Sequence, residues 1–154
     1  MFAPILLVLA TFYAPKVTLP STALKCLAEH SEVKLDLSQS PHFLREHFAA
    51  GGAATLVLPI VYRGAAISRI LMCPVASPSV ILGARDGLKF SDMDGDDYMA
   101  TKWRVCGRTE VLSMEKFYKE VPMPENQSVC LTWEDGEAVI YWDQGQYKWK
   151  SLSP

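Results

Sequence analysis

The sequence predicts an α+β fold: an antiparallel, β-rich core with a C-terminal three-stranded meander and two to three short helices. Three observations point there. Residues 128–152, SVCLTWEDGEAVIYWDQGQYKWKSL, alternate with period two and break at two turn dipeptides. Thr55–Tyr62 and Ala65–Cys73 are apolar runs of strand length meeting at Arg63-Gly64, as in a hairpin. The stretches with helical period are short and bounded by proline, serine or glycine. At 154 residues the chain reads as a single domain, 1–154, large enough to bury a core without metal or disulfide support.

Met1–Ala14, MFAPILLVLATFYA, is apolar and uncharged. Two readings stand. One is an export signal ending near Ala14. It lacks Lys and Arg at its start, and Pro4, Phe12 and Pro15 fit it poorly. The other is a buried strand over Ile5–Tyr13. The run is too short for a spanning helix, which takes about 20 apolar residues. A secreted or periplasmic location is favoured, with the cytoplasm close behind.

Pro20-Ser21 to His30 reads as a short helix with Leu24, Leu27 and Ala28 as its apolar stripe. Cys26 and His30 stand four apart on it, close enough for a thiolate–imidazole pair, but no orienting third group is evident. Val33–Leu37 alternates as a strand. Ser40-Pro41 has the residues of a helix start, with Phe43, Leu44, His47 and Phe48 on one face and Gly51-Gly52 as the stop. His42 and His47 would lie about 140° apart on such a helix, so they cannot share a metal. Pro59 inside Thr55–Tyr62 predicts an edge strand or a bulge.

Phe12-Tyr13-Ala14-Pro15, followed by a helix, a strand, a helix and Leu58-Pro59-Ile60-Val61, resembles the layout of the thioredoxin family. The resemblance covers at most the first 72 residues and implies an α/β front half. Where that family carries its C-x-x-C this chain has Val17, Thr18, Leu19 and Pro20, so the resemblance implies a redox-inactive domain.

Pro74–Pro78 is the candidate sub-boundary between front and back halves, and Ser79–Leu82 a short strand. In SDMDGDD, Asp92, Asp94 and Asp96 alternate around Gly95 and suit a calcium ion. The run resembles the aspartate-rich loops of calcium-binding β-propeller repeats and EF-hands. It departs from the EF-hand pattern at Asp97 and Trp103, where glycine and glutamate are wanted, and a solvated acidic turn is the plain alternative. Met99–Val105 reads as a strand carrying Trp103. Ser113 is placed to cap a helix over Met114–Val121, with Phe117, Tyr118 and Val121 inward. Asn126-Gln127-Ser128 is a glycosylation sequon.

The four cysteines, Cys26, Cys73, Cys106 and Cys130, form no C-x-x-C pair and allow three connectivities. Cys106 and Cys130 both fall in predicted strands of the back half and are the favoured pair. Free buried thiols are the alternative.

In the meander, Val129, Leu131 and Trp133 oppose Cys130, Thr132 and Glu134, while Tyr147 and Trp149 oppose Lys148 and Lys150. Asp135-Gly136 is expected to supply the positive φ angles of its first hairpin. Trp133, Tyr141, Trp142, Tyr147 and Trp149 are the candidate binding residues of an aromatic surface, against the plainer reading that most are core. Tyr141 and Trp142, being adjacent, must point to opposite faces.

A net charge of −2 gives no field for nucleic acid. No phosphate loop, dinucleotide fingerprint, nucleophile elbow or paired-histidine metal motif is present, and no catalytic residue is assigned. The favoured function is a small exported binding or inhibitory module recognising a protein or glycan. An enzyme whose site is assembled from distant residues is the alternative. Neither a stable membrane span nor a cofactor beyond calcium is expected, and nothing sets an oligomeric state. If Asp92, Asp94 and Asp96 hold calcium, the melting temperature rises with calcium over chelator; coincident melting curves remove the idea.

Overall fold

The computed structural model describes residues 17–49, 51–65, 68–82, 102–134 and 136–152. Two antiparallel sheets pack face to face, each covered on its outer side by a short helix. The front sheet holds β1 (Val33–Leu35), β2 (Leu44–Glu46), β3 (Thr55–Tyr62), β4 (Ser68–Pro74) and β5 (Val80–Leu82). The back sheet runs in chain order through β6 (Lys102–Cys106), β7 (Ser128–Thr132), β8 (Glu137–Asp143) and β9 (Gln146–Leu152). The meander is therefore present, and β6 adds a fourth strand to it.

Strand periodicity divides the side chains among three apolar clusters. Val57, Ile70, Met72 and Leu82 of the front sheet meet Trp103, Val129, Leu131, Ala138 and Ile140 of the back sheet between the two. Leu56, Leu58, Ile60 and Leu71 point the other way, under α1 (Ser21–Ala28). Cys130, Val139 and Leu152 face out beneath α2 (Arg108–Ser113) and the 3-10 turn Met114–Lys116. Burial on both faces is why β3 reads as a nearly continuous apolar run.

Pro59 lies in neither an edge strand nor a bulge. β3 is central: β4 flanks one side, while β2 and β1 share the other end to end. β2 pairs with residues 55–57 and β1 with 60–62, so Pro59 falls in the gap between them. Its carbonyl accepts from Asp36 N at 2.8 Å on that side. In an extended strand a residue's N–H and C=O point the same way, so the missing donor faces the gap, where no ladder bond is lost.

The helix expected from Ser40 to Phe48 does not form. Phe43 packs into the outer cluster of the front sheet and Leu44 into the inter-sheet core, so consecutive residues face opposite ways. Pairing of Leu44, Arg45 and Glu46 with Val57, Leu56 and Thr55 overrides the local helix signals. The predicted helix over Met114–Val121 is also displaced. α2 ends at Ser113, whose hydroxyl donates back to the Glu110 carbonyl at 2.7 Å rather than capping a following helix. Phe117 is 73% exposed, while Tyr118 and Val121 do pack inward. In α1 the buried residues are Ala23 and Cys26, and Leu24, expected on the apolar stripe, is 56% exposed.

Residues 75–79 join β4 to β5 of the same sheet. Of the residues behind the thioredoxin resemblance, 12–15 lie outside the described residues. Leu58–Val61 belong to β3, which is antiparallel to β1, β2 and β4.

Both cysteine pairs stand as disulfides, Cys106–Cys130 as favoured and Cys26–Cys73 as its complement. The first links β6 to β7, and the second ties α1 to β4 across a sequence separation of 47. Loops of these lengths correspond to about 3 to 4 kcal/mol of stabilisation each in the chain-entropy picture.

Of the pair expected to supply positive φ in the first hairpin, Asp135 lies outside the described residues, and Gly136 does not adopt positive φ; the Trp133 N–H donates to the Gly136 carbonyl at 2.8 Å. The left-handed pair is Gln144 (φ 50°) and Gly145 (φ 82°), between β8 and β9. Glutamine tolerates that region less well than asparagine. Gln144→Asn is therefore expected to stabilise by about 0.5 kcal/mol, roughly 1–2 °C in Tm. A lower Tm in thermal unfolding would contradict this account of the turn.

Candidate functional site

The register places Trp133, Trp142, Tyr147 and Trp149 on the inner face of the back sheet and Tyr141 on its outer face. The five rings thus do not share one surface. Tyr147 is 6% exposed and belongs to the core. The other four are half-buried. Trp133 and Trp149 meet edge to face with centroids 5.7 Å apart, and Trp142 meets Tyr147 the same way at 4.8 Å. Between the first two, Ala138 pairs with Leu131 and Ser151, and its small side chain leaves room for both indoles. Tyr141 packs against the cluster beneath α2, so the two adjacent aromatics do point to opposite faces.

The burial of Tyr147 has a chemical consequence. Burial raises its phenol above the ordinary tyrosine value, and the nearby Thr55 hydroxyl opposes the shift. Neither oxygen completes a hydrogen bond of normal geometry among the described residues.

A second cluster lies on the outer side of the front sheet, where α1 runs out into the turn before β1. The Glu29 N–H donates to the Cys26 carbonyl and that of His30 to Leu27, ending the helix. Val33 N–H donates to the His30 carbonyl and Arg63 N–H to that of Glu32, anchoring the turn to β3. The imidazole then faces Ser79, the residue before β5. His30 Nε2 lies 2.8 Å from Ser79 Oγ, and His30 Nδ1 lies 3.3 Å from Glu32 Oε1. The Ser79 hydroxyl also lies 2.9 Å from Glu29 Oε2. A cavity of about 260 Å³ opens beside them, lined in part by Thr22, Lys25, Glu29, Ser79 and the Cys26–Cys73 pair.

The thiolate–imidazole pair is excluded because Cys26 is bonded to Cys73. His30 does have an orienting carboxylate, Glu32, but its partner is Ser79 instead of a thiol. Sequence reasoning found His30 and missed both partners. Ser79 stands 49 positions away and belongs to no local motif, so only pairing of β4 with β5 brings it near. Glu32 was visible two residues on, without a signal of its direction.

His47 is exposed, and its backbone N–H donates to Gln127 Oε1 at 3.2 Å. His42 stands in the stretch before β2. The sequon's Asn126 is half-buried and its Ser128 wholly buried at the start of β7. Asp92, Asp94 and Asp96 lie outside the described residues. Among the described residues, no group of three or more His, Cys, Asp or Glu side chains could hold a metal. Nor is any helix among them long and apolar enough to cross a membrane. No protein-family model, curated protein or solved structure matches the chain.

Tyr147 supplies a test of this geometry. A phenol whose folded pKa lies above its unfolded value stabilises fully below the unfolded pKa, near 10, and loses that contribution as pH rises beyond it. Tyr147→Phe is expected to weaken the alkaline loss of stability. Near pH 7 it should leave stability within about 0.5 kcal/mol of wild type or above it, since a buried hydroxyl without a partner is removed. A loss above about 1.5 kcal/mol in urea titration would mean that the hydroxyl is bonded.

Proposed function

We propose that this protein is a small binding or inhibitory module of an oxidising, extracytoplasmic compartment, recognising a protein or glycan through the indoles of its back sheet. The observation that carries the reading is that Trp133, Trp142 and Trp149 share one face of the meander and none is sealed by the core. Indoles left partly at the surface combine large contact area with little conformational freedom to lose. Tyr147 and Tyr141 act as supports, the first in contact with Trp142 and the second beneath α2.

The compartment rests on the two cysteine pairs, which reducing cytoplasm would keep as thiols. An exported chain of this size also gains from covalent ties across its outer layers. The acidic run at Asp92, Asp94 and Asp96 remains a proposal for calcium.

Two measurements test the reading. Alkylation of the natural protein under non-reducing, denaturing conditions should modify no cysteine; four modified thiols would remove the compartment. Screening against glycan and extracellular-protein arrays should find a ligand that Trp133→Ala or Trp149→Ala weakens by about 10-fold or more, as truncation of an aromatic anchor does. A ligand held equally by wild type and both variants would remove the aromatic surface.

A further inference from the structure

We propose that Ser79 is a nucleophile activated by His30, and that the adjoining cavity takes small carboxylic esters for hydrolysis. The inference concerns the outer side of the front sheet and does not depend on the binding reading of the back sheet.

Three atoms carry it. Ser79 Oγ and His30 Nε2 are 2.8 Å apart, the distance at which a hydroxyl can pass its proton to an imidazole. His30 Nδ1 faces Glu32 Oε1 at 3.3 Å, a long contact but one on the far side of the ring. A proton held at Nδ1 toward that carboxylate leaves Nε2 as the acceptor facing Ser79. The arrangement follows the nucleophile, base and orienter order that serine hydrolases on unrelated folds share. Catalytic hydrogen bonds are often loose without substrate and tighten once it binds.

The surroundings supply the other requirements. Ser79 and Glu29 both line the cavity of about 260 Å³, so a substrate carbonyl has room to approach Oγ. Lys25 lines the same cavity and is the cation available to balance the developing oxyanion. The Cys26–Cys73 disulfide forms part of the wall and ties α1, which delivers His30, to β4, whose neighbour β5 delivers Ser79.

The chemistry closes without a co-reactant other than water. Ser79 Oγ bonds to the ester carbonyl carbon as its proton passes to His30 Nε2. The tetrahedral oxyanion collapses, the bond to the alkoxy group breaks, and His30 returns the proton to the departing alcohol. Water then attacks the acyl-Ser79 carbonyl while His30 takes its proton. The bond from the acyl carbon to Ser79 Oγ then breaks, His30 gives its proton back to Oγ, and the carboxylic acid leaves.

Glu29 acts against this step. Its Oε2 lies 2.9 Å from Ser79 Oγ, and the hydroxyl has one proton to give, either to Glu29 or to His30. Its negative charge also disfavours an oxyanion nearby. A purely structural hydrogen-bond cluster would gain nothing from its removal, whereas a nucleophile would.

The test treats the full chain with a fluorophosphonate probe and with p-nitrophenyl acetate, after melting curves confirm that each variant folds. Wild type should form a phosphonyl adduct at Ser79, located by peptide mass, and should turn over the ester. Ser79→Ala should abolish the adduct, and His30→Gln should slow labelling by about 100-fold or more. Glu29→Ala should speed it several-fold. Glu32→Gln should lower kcat with KM unchanged, since Glu32 positions the base and does not touch the ester, and Glu32→Asp should recover part of the loss. Absence of an adduct at Ser79 in wild type and in Glu29→Ala overturns the proposal. So does ester turnover equal in wild type and Ser79→Ala.

Discussion

The packing of the two sheets against each other is the interaction on which the rest of this structure depends. Val57, Ile70 and Met72 on one side and Leu131, Ala138 and Ile140 on the other are all nearly inaccessible to water. Apolar side chains buried to this degree stabilise by about 1.5–3 kcal/mol each relative to exposure. The back sheet's strands follow one another as a meander, whereas the front sheet needs a central strand with two partners on one edge. An isolated sheet of either kind would expose an apolar face. Trp103 reinforces the contact, donating its Nε1 proton to the Pro41 carbonyl at 2.9 Å and so tying β6 to the segment that leads into β2.

Once the inner faces are paired, the outer faces need separate cover, and here the chain has little to spend. α1 has eight residues and α2 six. Helices so short are not stable alone in water. Each outer layer also contains one disulfide, Cys26–Cys73 in the layer under α1 and Cys106–Cys130 in the layer under α2. Covalent ties thus stand where apolar contact is thinnest. The ion pair of Arg104 on β6 with Glu110 on α2 acts in the same place. The Arg104 guanidinium holds the Glu110 carboxyl below its ordinary range, although both groups are half in water and the pair contributes little.

The same economy shapes both candidate sites. A helix held at Cys26 brings the turn that follows it, with Glu29 and His30, over the start of β5. That placement creates the Ser79 cluster and the cavity beside it. On the back sheet, Trp133, Trp142 and Trp149 pack against the inter-sheet core without being enclosed by it as Trp103 is, and Ala138 is the small residue that lets Trp133 and Trp149 meet. One site is made by an outer layer and the other by the limit of the inner one.

The sequence by itself determined the meander and the β3–β4 hairpin and favoured Cys106 with Cys130 among the open pairings, because these rest on period-two alternation and on strands close along the chain. The opposed directions of Tyr141 and Trp142 follow from the same pleat. Only the tertiary structure decided that Leu44–Glu46 is a strand, since its local helix signals yield to pairing with β3. It likewise decided which way the indoles face and that His30 meets Ser79 across 49 positions. The physical reason is common to all three. Periodicity records that a side chain is buried, but which partner buries it depends on contacts between distant segments, and those carry no local mark in the chain.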